Sequence, residues 1–287
     1  MKRLIVNADD FGLTAGINTA IIELNEAGVL TSSTLMASGP SFAAAVHLAF
    51  AQTPLGVGCH VVLVDGSPLL PAGEAGSLIG SSEGGRPRFR PTLGRFARDL
   101  LRGRIREAEI EAETVAQIRR IQSSGLFVTH LDTHKHTHMF RAVLRPLLRA
   151  AGHCGVGAVR NPFEPAWSVR ATPGGSLMRR LEVRALAARR ASFAAAARQG
   201  GIATTDGAIG VLATGTLDQP TLRRLLEAVP DGDWELVCHP GYCDRDLDQT
   251  RTRLRASREV ERQTLLAVLP QRLAEDPTLA LINFSQL

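Results

Sequence analysis

Short apolar runs recur along this 287-residue chain, and almost every one leads into a stretch with helical spacing. The runs lie at residues 3–7, 31–36, 55–64, 126–131, 156–159, 208–212, 234–238 and 279–283. Helical stretches between or after them cover residues 15–27, 41–51, 93–101, 105–123, 140–151, 177–197, 220–228 and 254–268. In the first of these Ile17, Ile21, Ile22 and Leu24 carry the apolar spacing, and Thr14 stands ready as the N-cap. Pro146 predicts a kink in the stretch 140–151. Strands that alternate with helices build parallel βα units rather than hairpins. Roughly seven or eight units predict an α/β fold of the (β/α) barrel type with mostly parallel strands; a doubly wound sheet is the other architecture with this rhythm. Residues 1–287 show no internal repeat and no linker and read as a single domain. Residues 65–91, rich in Gly, Ser and Pro and without a period, read as a loop insertion or lid.

The titratable residues fall in a pattern of their own. Asp9, Asp10, His60, the segment from His130 to His138, Arg160 and His239 all lie near or just beyond the C-terminal end of a predicted strand. That is the edge where barrels and open parallel sheets carry their active sites. In Asn7-Ala8-Asp9-Asp10-Phe11-Gly12, neighbouring carboxylates on an extended chain point in different directions and can divide metal binding from proton transfer. His60, in Gly58-Cys59-His60, gains weight from its position at the same edge; Cys59 points away from it, so the two do not share an ion. Four of the eight histidines lie within residues 130–138. A solvated loop has no need of them. His130 and Asp132 share one strand face, and His134 and His136 continue it if the chain stays extended. Asp132 beside imidazoles suits a residue that orients ligands. His239, before Pro240-Gly241, sits on a stiff turn and can serve as a general acid. Arg160 can bind an anion or orient a carboxylate.

Missing signatures narrow the chemistry. The chain has no Walker loop, no Gly-x-Gly-x-x-Gly after its first strand, no Gly-x-Ser-x-Gly elbow and no His-Glu-x-x-His helix. An Asp and two His around a divalent cation with an open position for water fit what is left. The formal charge of +5 is concentrated in arginines at residues 86–106 and 179–198. One Tyr and two Trp offer few stacking platforms, so the basic balance points away from nucleic acid and toward acidic lipid headgroups as a neighbour. Four cysteines do not make a disulfide framework, and the short apolar run after Met-Lys-Arg is no secretory signal, so a cytoplasmic location is expected.

These motifs resemble the YdjC-like carbohydrate deacetylases. The resemblance rests on Asn-Ala-Asp-Asp-Phe-Gly, Gly-x-His-Val-x-Leu around His60, Thr-His-Leu-Asp-Thr-His-x-His-x-His-Met from Thr129, and Cys-His-Pro-Gly around His239, in that order over most of the chain. It implies a barrel-like fold and hydrolysis of an N-acetyl group from an amino sugar. It also implies a divalent metal, Zn or Mg, on Asp10, His60 and His134, with Asp9 as base and His239 as acid. His130, Asp132, His136 and Arg160 are then supporting or substrate-facing residues. The Ala/Arg-rich stretch and Arg-Asn-Pro-Phe-Glu-Pro at residues 160–165 resemble the hopanoid-biosynthesis branch, which implies an N-acetylglucosaminyl hopanoid as substrate. The partners expected are thus an N-acetylated sugar or glycolipid, a peripheral membrane contact and, separately, a second copy of the chain in a homodimer. A metal-dependent phosphoesterase or sugar isomerase on a similar barrel, or a non-catalytic sugar- or lipid-binding protein, are the alternatives.

Overall fold

The computed structural model of the chain describes residues 1–51, 54–174 and 177–287. Its strands are β1 (Lys2–Phe11), β2 (Ser32–Leu35), β3 (Gly56–Val61), β4 (Ile79–Glu83), β5 (Arg86–Phe89), β6 (His130–Thr133), β7 (Ala158–Val159), β8 (Gly207–Ile209), β9 (Gly232–Cys238) and β10 (Leu279–Leu281). Its helices are α1 (Ala15–Glu26), α2 (Phe42–Phe50), α3 (Leu93–Leu101), α4 (Glu107–Ser123), α5 (Arg141–Cys154), α6 (Ala166–Ala171), α7 (Leu177–Ala187), α8 (Arg190–Gln199), α9 (Gln219–Ala228), α10 (Arg245–Gln249) and α11 (Ala256–Glu275). All strands but β4 and β5 join one parallel sheet in the order β7-β6-β3-β2-β1-β9-β8. β10 pairs with Lys2 to Leu4 of β1, below Asn7, where β2 begins to pair. Ala203, just before β8, forms a parallel bridge to Ala158 in β7. The sheet therefore curls until its two edges approach, giving the barrel-like form and setting aside the open doubly wound one.

Alternation along the strands sorts residues onto two faces. Leu4, Val6 and Ala8 of β1, Val57, Cys59 and Val61 of β3, Leu131 of β6, and Trp234 and Leu236 of β9 join the apolar core beneath the helices. The opposite face points inward. At its floor Ile5, Ala158, Ile282 and Phe284 form a small apolar plug. Above the plug, the His130 ring stacks on Phe284 at 3.7 Å between centroids, and its Nε2 lies 3.1 Å from Asn7 Oδ1. Gly58 makes room for that ring, because a Cβ there would meet His130 Cε1 at 2.5 Å.

Several elements depart from the sequence reading. Thr14 caps α1 as expected, its Oγ1 accepting from the Ile17 N–H at 3.2 Å. β1 runs on to Phe11, so Asp9 and Asp10 lie within the strand and not beyond it. The stretch 177–197 is two helices rather than one. Val183 of α7 packs in a separate cluster with Val169 and Leu212, whereas Phe193 and Ala197 of α8 join the main core. α5 (14 residues) carries Pro146 in its interior and continues past it to Cys154, and α11 runs past Pro270 to Glu275. Within residues 65–91 the chain forms the antiparallel β4–β5 hairpin, turning at Gly84 and Gly85. The segment before it is held on α4. Glu113 accepts from the Leu69 and Leu70 N–H groups at 2.9 and 3.1 Å, and Glu109 from Ser77 N–H at 2.6 Å. Among the described residues no helix is long and apolar enough to cross a membrane.

Gly58→Ala should therefore overpack the barrel interior and cost about 1–3 kcal/mol of stability. Urea unfolding measures it; a variant as stable as the parent would show that the His130 ring is free to move aside.

Candidate active site

Arg160 follows β7 and extends its pairing, its N–H bonding to Leu131 O at 2.9 Å. The side chain is fully buried and reaches across the interior to three carboxylates from three strands. Nη2 donates to Asp9 Oδ1 at 2.6 Å and Nη1 to Asp9 Oδ2 at 3.0 Å. Nη1 also bonds Asp132 Oδ2, and Nε donates to Glu235 Oε1 at 2.7 Å. Burial opposes ionisation of Asp9, but the charges of Arg160, His60 and His239 hold its carboxyl well below the usual range.

Asp10 departs from strand geometry. Its φ of +68° lies in the left-handed region, and the β1–β2 register shifts between Ala8 and Phe11. Adjacent strand residues should point apart; this twist instead brings both carboxylates to the same cavity, correcting the expected divergence of Asp9 and Asp10. Asp10 Oδ1 lies 3.7 Å from His60 Nε2 and 3.6 Å from His134 Nδ1, and those two nitrogens are 3.2 Å apart. Arg258 of α11 donates to the other oxygen, Oδ2, at 2.5 Å. Burial works against the Asp10 charge, and Arg258, His134 and His60 overcome it, so the carboxyl stays well below the usual range.

His60 Nδ1 faces Asp132 Oδ1 at 2.8 Å and Thr34 Oγ1 at 3.1 Å, leaving Nε2 turned toward Asp10 and His134. Burial alone would lower this imidazole, but Asp132, with Asp9 and Asp10 beyond, raises it to about 9. Two groups of donors among the described residues lie close enough to hold a cation: Asp10 with His60 and His134, and Asp9 with His60 and Asp132. The second already surrounds the Arg160 guanidinium. The first does not.

The histidine segment does not stay extended. The strand ends at Thr133, and Lys135 and His136 both take positive φ, +57° and +51°. His134 and His136 therefore do not continue the face of His130 and Asp132. Lys135 is anchored by Asp65 at 2.5 Å, and Asp65 is itself at φ +56°. His136 is drawn down to about 3 by burial and by Arg160, and its Nδ1 has no hydrogen-bond partner among the described residues. His138, not singled out from sequence, bonds Thr133 Oγ1 at 2.7 Å and Arg160 O at 3.2 Å. His239 Nε2 stands 3.6 Å from Asp9 Oδ2, and its backbone N–H donates to Glu261 Oε2 at 2.6 Å. Sequence reading also missed Thr34, Glu235, Arg258 and Glu261. A polar residue in strand or helix alternation carries little signal unless the curl of the sheet is known.

A parallel, barrel-like sheet with carboxylates and imidazoles gathered at its strand ends defines the class of β/α-barrel enzymes. A model of the YdjC-like protein family matches residues 3–273, and the chain belongs to that family. It is 32% identical over 286 residues to a carbohydrate deacetylase of Brevibacillus brevis, covering 99% of each chain. To a carbohydrate deacetylase of Thermoanaerobacter pseudethanolicus it is 28% identical over 285 residues, again covering 99% of each. A solved structure from Enterococcus faecalis V583, named for a proposed role in cellobiose-phosphate cleavage, shares the fold. It has a TM-score of 0.76 at 24% identity, over 99% of this chain and 98% of that one.

His130, His136 and His138 are kept neutral by burial, so each takes up a proton on unfolding below its unfolded pKa of about 6.5. Their depressed folded values contribute stability that is full above about pH 6.5 and lost as pH falls, for His136 toward about 3. His60 acts in the opposite sense, its contribution present below 6.5 and lost as pH rises through about 9. Asp9 and Asp10 enter only below about pH 4. The buried carboxyls Glu235, raised to about 8, and Glu113 and Glu261, also raised, act against the histidines here, gaining stability as pH falls toward 4.5. Unfolding free energy of the metal-free protein, measured in urea, should therefore drop further from pH 6.5 to 4.5 in the parent than in His136→Gln, the difference isolating the buried imidazole. Equal changes in the parent and in His136→Gln over that range would contradict a buried, neutral His136.

Proposed function

We propose that this protein is a divalent-metal-dependent hydrolase that removes the N-acetyl group of an amino sugar. The observation that carries the reading is the convergence of Asp10, His60 and His134, with donor atoms within 4.8 Å of one another, beside Asp9 and His239. The donors suit a cation. Asp10 is ionised, and Asp132 occupies His60 Nδ1 so that Nε2 is the free nitrogen. One carboxylate and two imidazoles fit Zn best and admit Mg less readily, since Mg prefers oxygen. When bound, such a cation supplies electrophilic polarisation of the acetyl carbonyl and of water.

The remaining steps belong to the side chains. Asp9, ionised and locked in place by two Arg160 bonds, receives the proton of the attacking water. His239 Nε2, on the same side as Asp9 Oδ2, protonates the departing amine, and the Glu261 bond to its backbone fixes the turn that presents it. The deacetylases among its relatives, matched end to end, support this assignment of substrate chemistry.

The finer substrate reading is an N-acetylglucosaminyl hopanoid lipid. It is supported by the resemblance at residues 160–165 and by an apolar groove of about 620 Å³. Met139 and Phe140, immediately after the histidine segment, line the groove with Leu100, Phe163 and Phe193. Exposed Leu101, which lines the groove together with Arg189, and exposed Leu181, beside exposed Arg184 on α7, suit a peripheral contact with an anionic lipid surface.

Metal-reconstituted protein should release acetate from N-acetylglucosamine, chitobiose or an N-acetylglucosaminyl lipid, the lipid being preferred if the finer reading holds. Asp9→Asn should lower kcat about 10²–10⁴-fold. Asp132→Asn should raise the metal dissociation constant about 10–100-fold. Phosphate release or ketose formation in place of acetate, or turnover that survives exhaustive chelation, would overturn the assignment.

A further inference from the structure

Glu235 is the member of the Arg160 cluster to which the proposed reaction gives no task. It lies on the inner face of β9, fully buried, with Ile5 and Ala208 as its register partners. The charged groups facing it are Arg160, beyond β7, Asp9 on β1 and Asp132 on β6. Asp9 receives two bonds from Arg160, whereas Glu235 receives one, on Oε1 from Nε at 2.7 Å. Its Oε2 is buried with no hydrogen-bond partner among the described residues. A bare carboxylate oxygen without a donor is far costlier to bury than the hydroxyl of a neutral acid. The charges agree. The Arg160 guanidinium, with the His60 imidazole beyond it, already faces Asp9 and Asp132, and among the described residues no further cation meets Glu235 to offset a third full negative charge in the same buried interior. Burial raises Glu235 to about 8 despite Arg160, in keeping with that geometry.

We propose that Glu235 is a positioning residue held as a neutral carboxylic acid, which fixes the Arg160 fork through Nε while leaving its charge to Asp9 and Asp132. A charged Glu235 would compete with Asp9 for the guanidinium; an apolar side chain would leave Nε unpaired and the fork free to turn. The consequence for turnover rests on the deacetylase reading, but the protonation state does not.

Infrared difference spectroscopy of the parent protein against Glu235→Gln at neutral pH should show the carbonyl stretch of a buried protonated carboxyl, lost in the variant. Acetate-release kinetics on the same preparations test the positioning. Glu235→Gln, a permanently neutral isostere, should rescue most of the kcat that Glu235→Leu loses, a loss on the order of 10²-fold for a misplaced Asp9. Near-UV circular dichroism checks that both variants are folded. An ionised-carboxylate band for Glu235, or a folded Gln variant that loses as much kcat as the Leu variant, would overturn the proposal. A protonated band with no acetate release by the parent protein would support the neutral Glu235 and count against the deacetylase reading.

Discussion

The arrangement around Arg160 governs the rest of the interior. A guanidinium placed after β7 can meet carboxylates on β6, β1 and β9 only if the sheet curls until those strands face one another. The bonds in turn make that curl worthwhile, because a buried fork with five donors must find acceptors on several sides. Ion pairs of this kind are poor sources of net stability, and a well-packed apolar interior would serve folding equally well. Their retention at the strand C-termini fits a requirement for a fixed, ionised Asp9.

The second device is local strain. Asp10, Asp65, Lys135 and His136 all hold positive φ without being glycine; Asp10 lies at the end of β1, Lys135 and His136 follow His134, and Asp65 is paired to Lys135. Such conformations are unfavourable for side chains with a Cβ and persist where surrounding contacts over-determine them. Here those contacts can be named. Arg258 grips Asp10, and Lys135 joins Asp65 across two loops. The effect is to turn Asp10 and His134 toward His60, a convergence that regular strand alternation forbids.

α11 contributes from outside the barrel. Arg258 and Glu261 stand one turn apart on it, both buried; one reaches Asp10, and the other takes the His239 backbone N–H together with that of Gly215. A single rigid helix thus sets the relative placement of a candidate metal ligand and the candidate proton donor. Rigid elements hold such distances better than loops do.

Periodicity and strand-end placement, read along the chain, determined the α/β class, the barrel-like rhythm and the edge on which the titratable residues gather. Those are local properties, legible because helix and strand repeat at different periods and because parallel strands share one direction. Asp9, Asp10, His60, Asp132, Arg160 and His239 were visible for that reason. The β4–β5 hairpin was not, since its turn is written in glycines within a segment rich in Gly, Ser and Pro. Nor were Glu235, Arg258 and Glu261, which look like ordinary polar positions of a strand and a helix. Only the tertiary structure decided that Asp9 and Asp10 face one cavity and that His130 stacks on the floor while His134 turns toward Asp10. It also decided which cation each carboxylate meets. The physical reason is the same throughout: these pairings depend on the curl of the sheet and on a few left-handed residues, which join groups up to 248 positions apart and leave no period in the sequence.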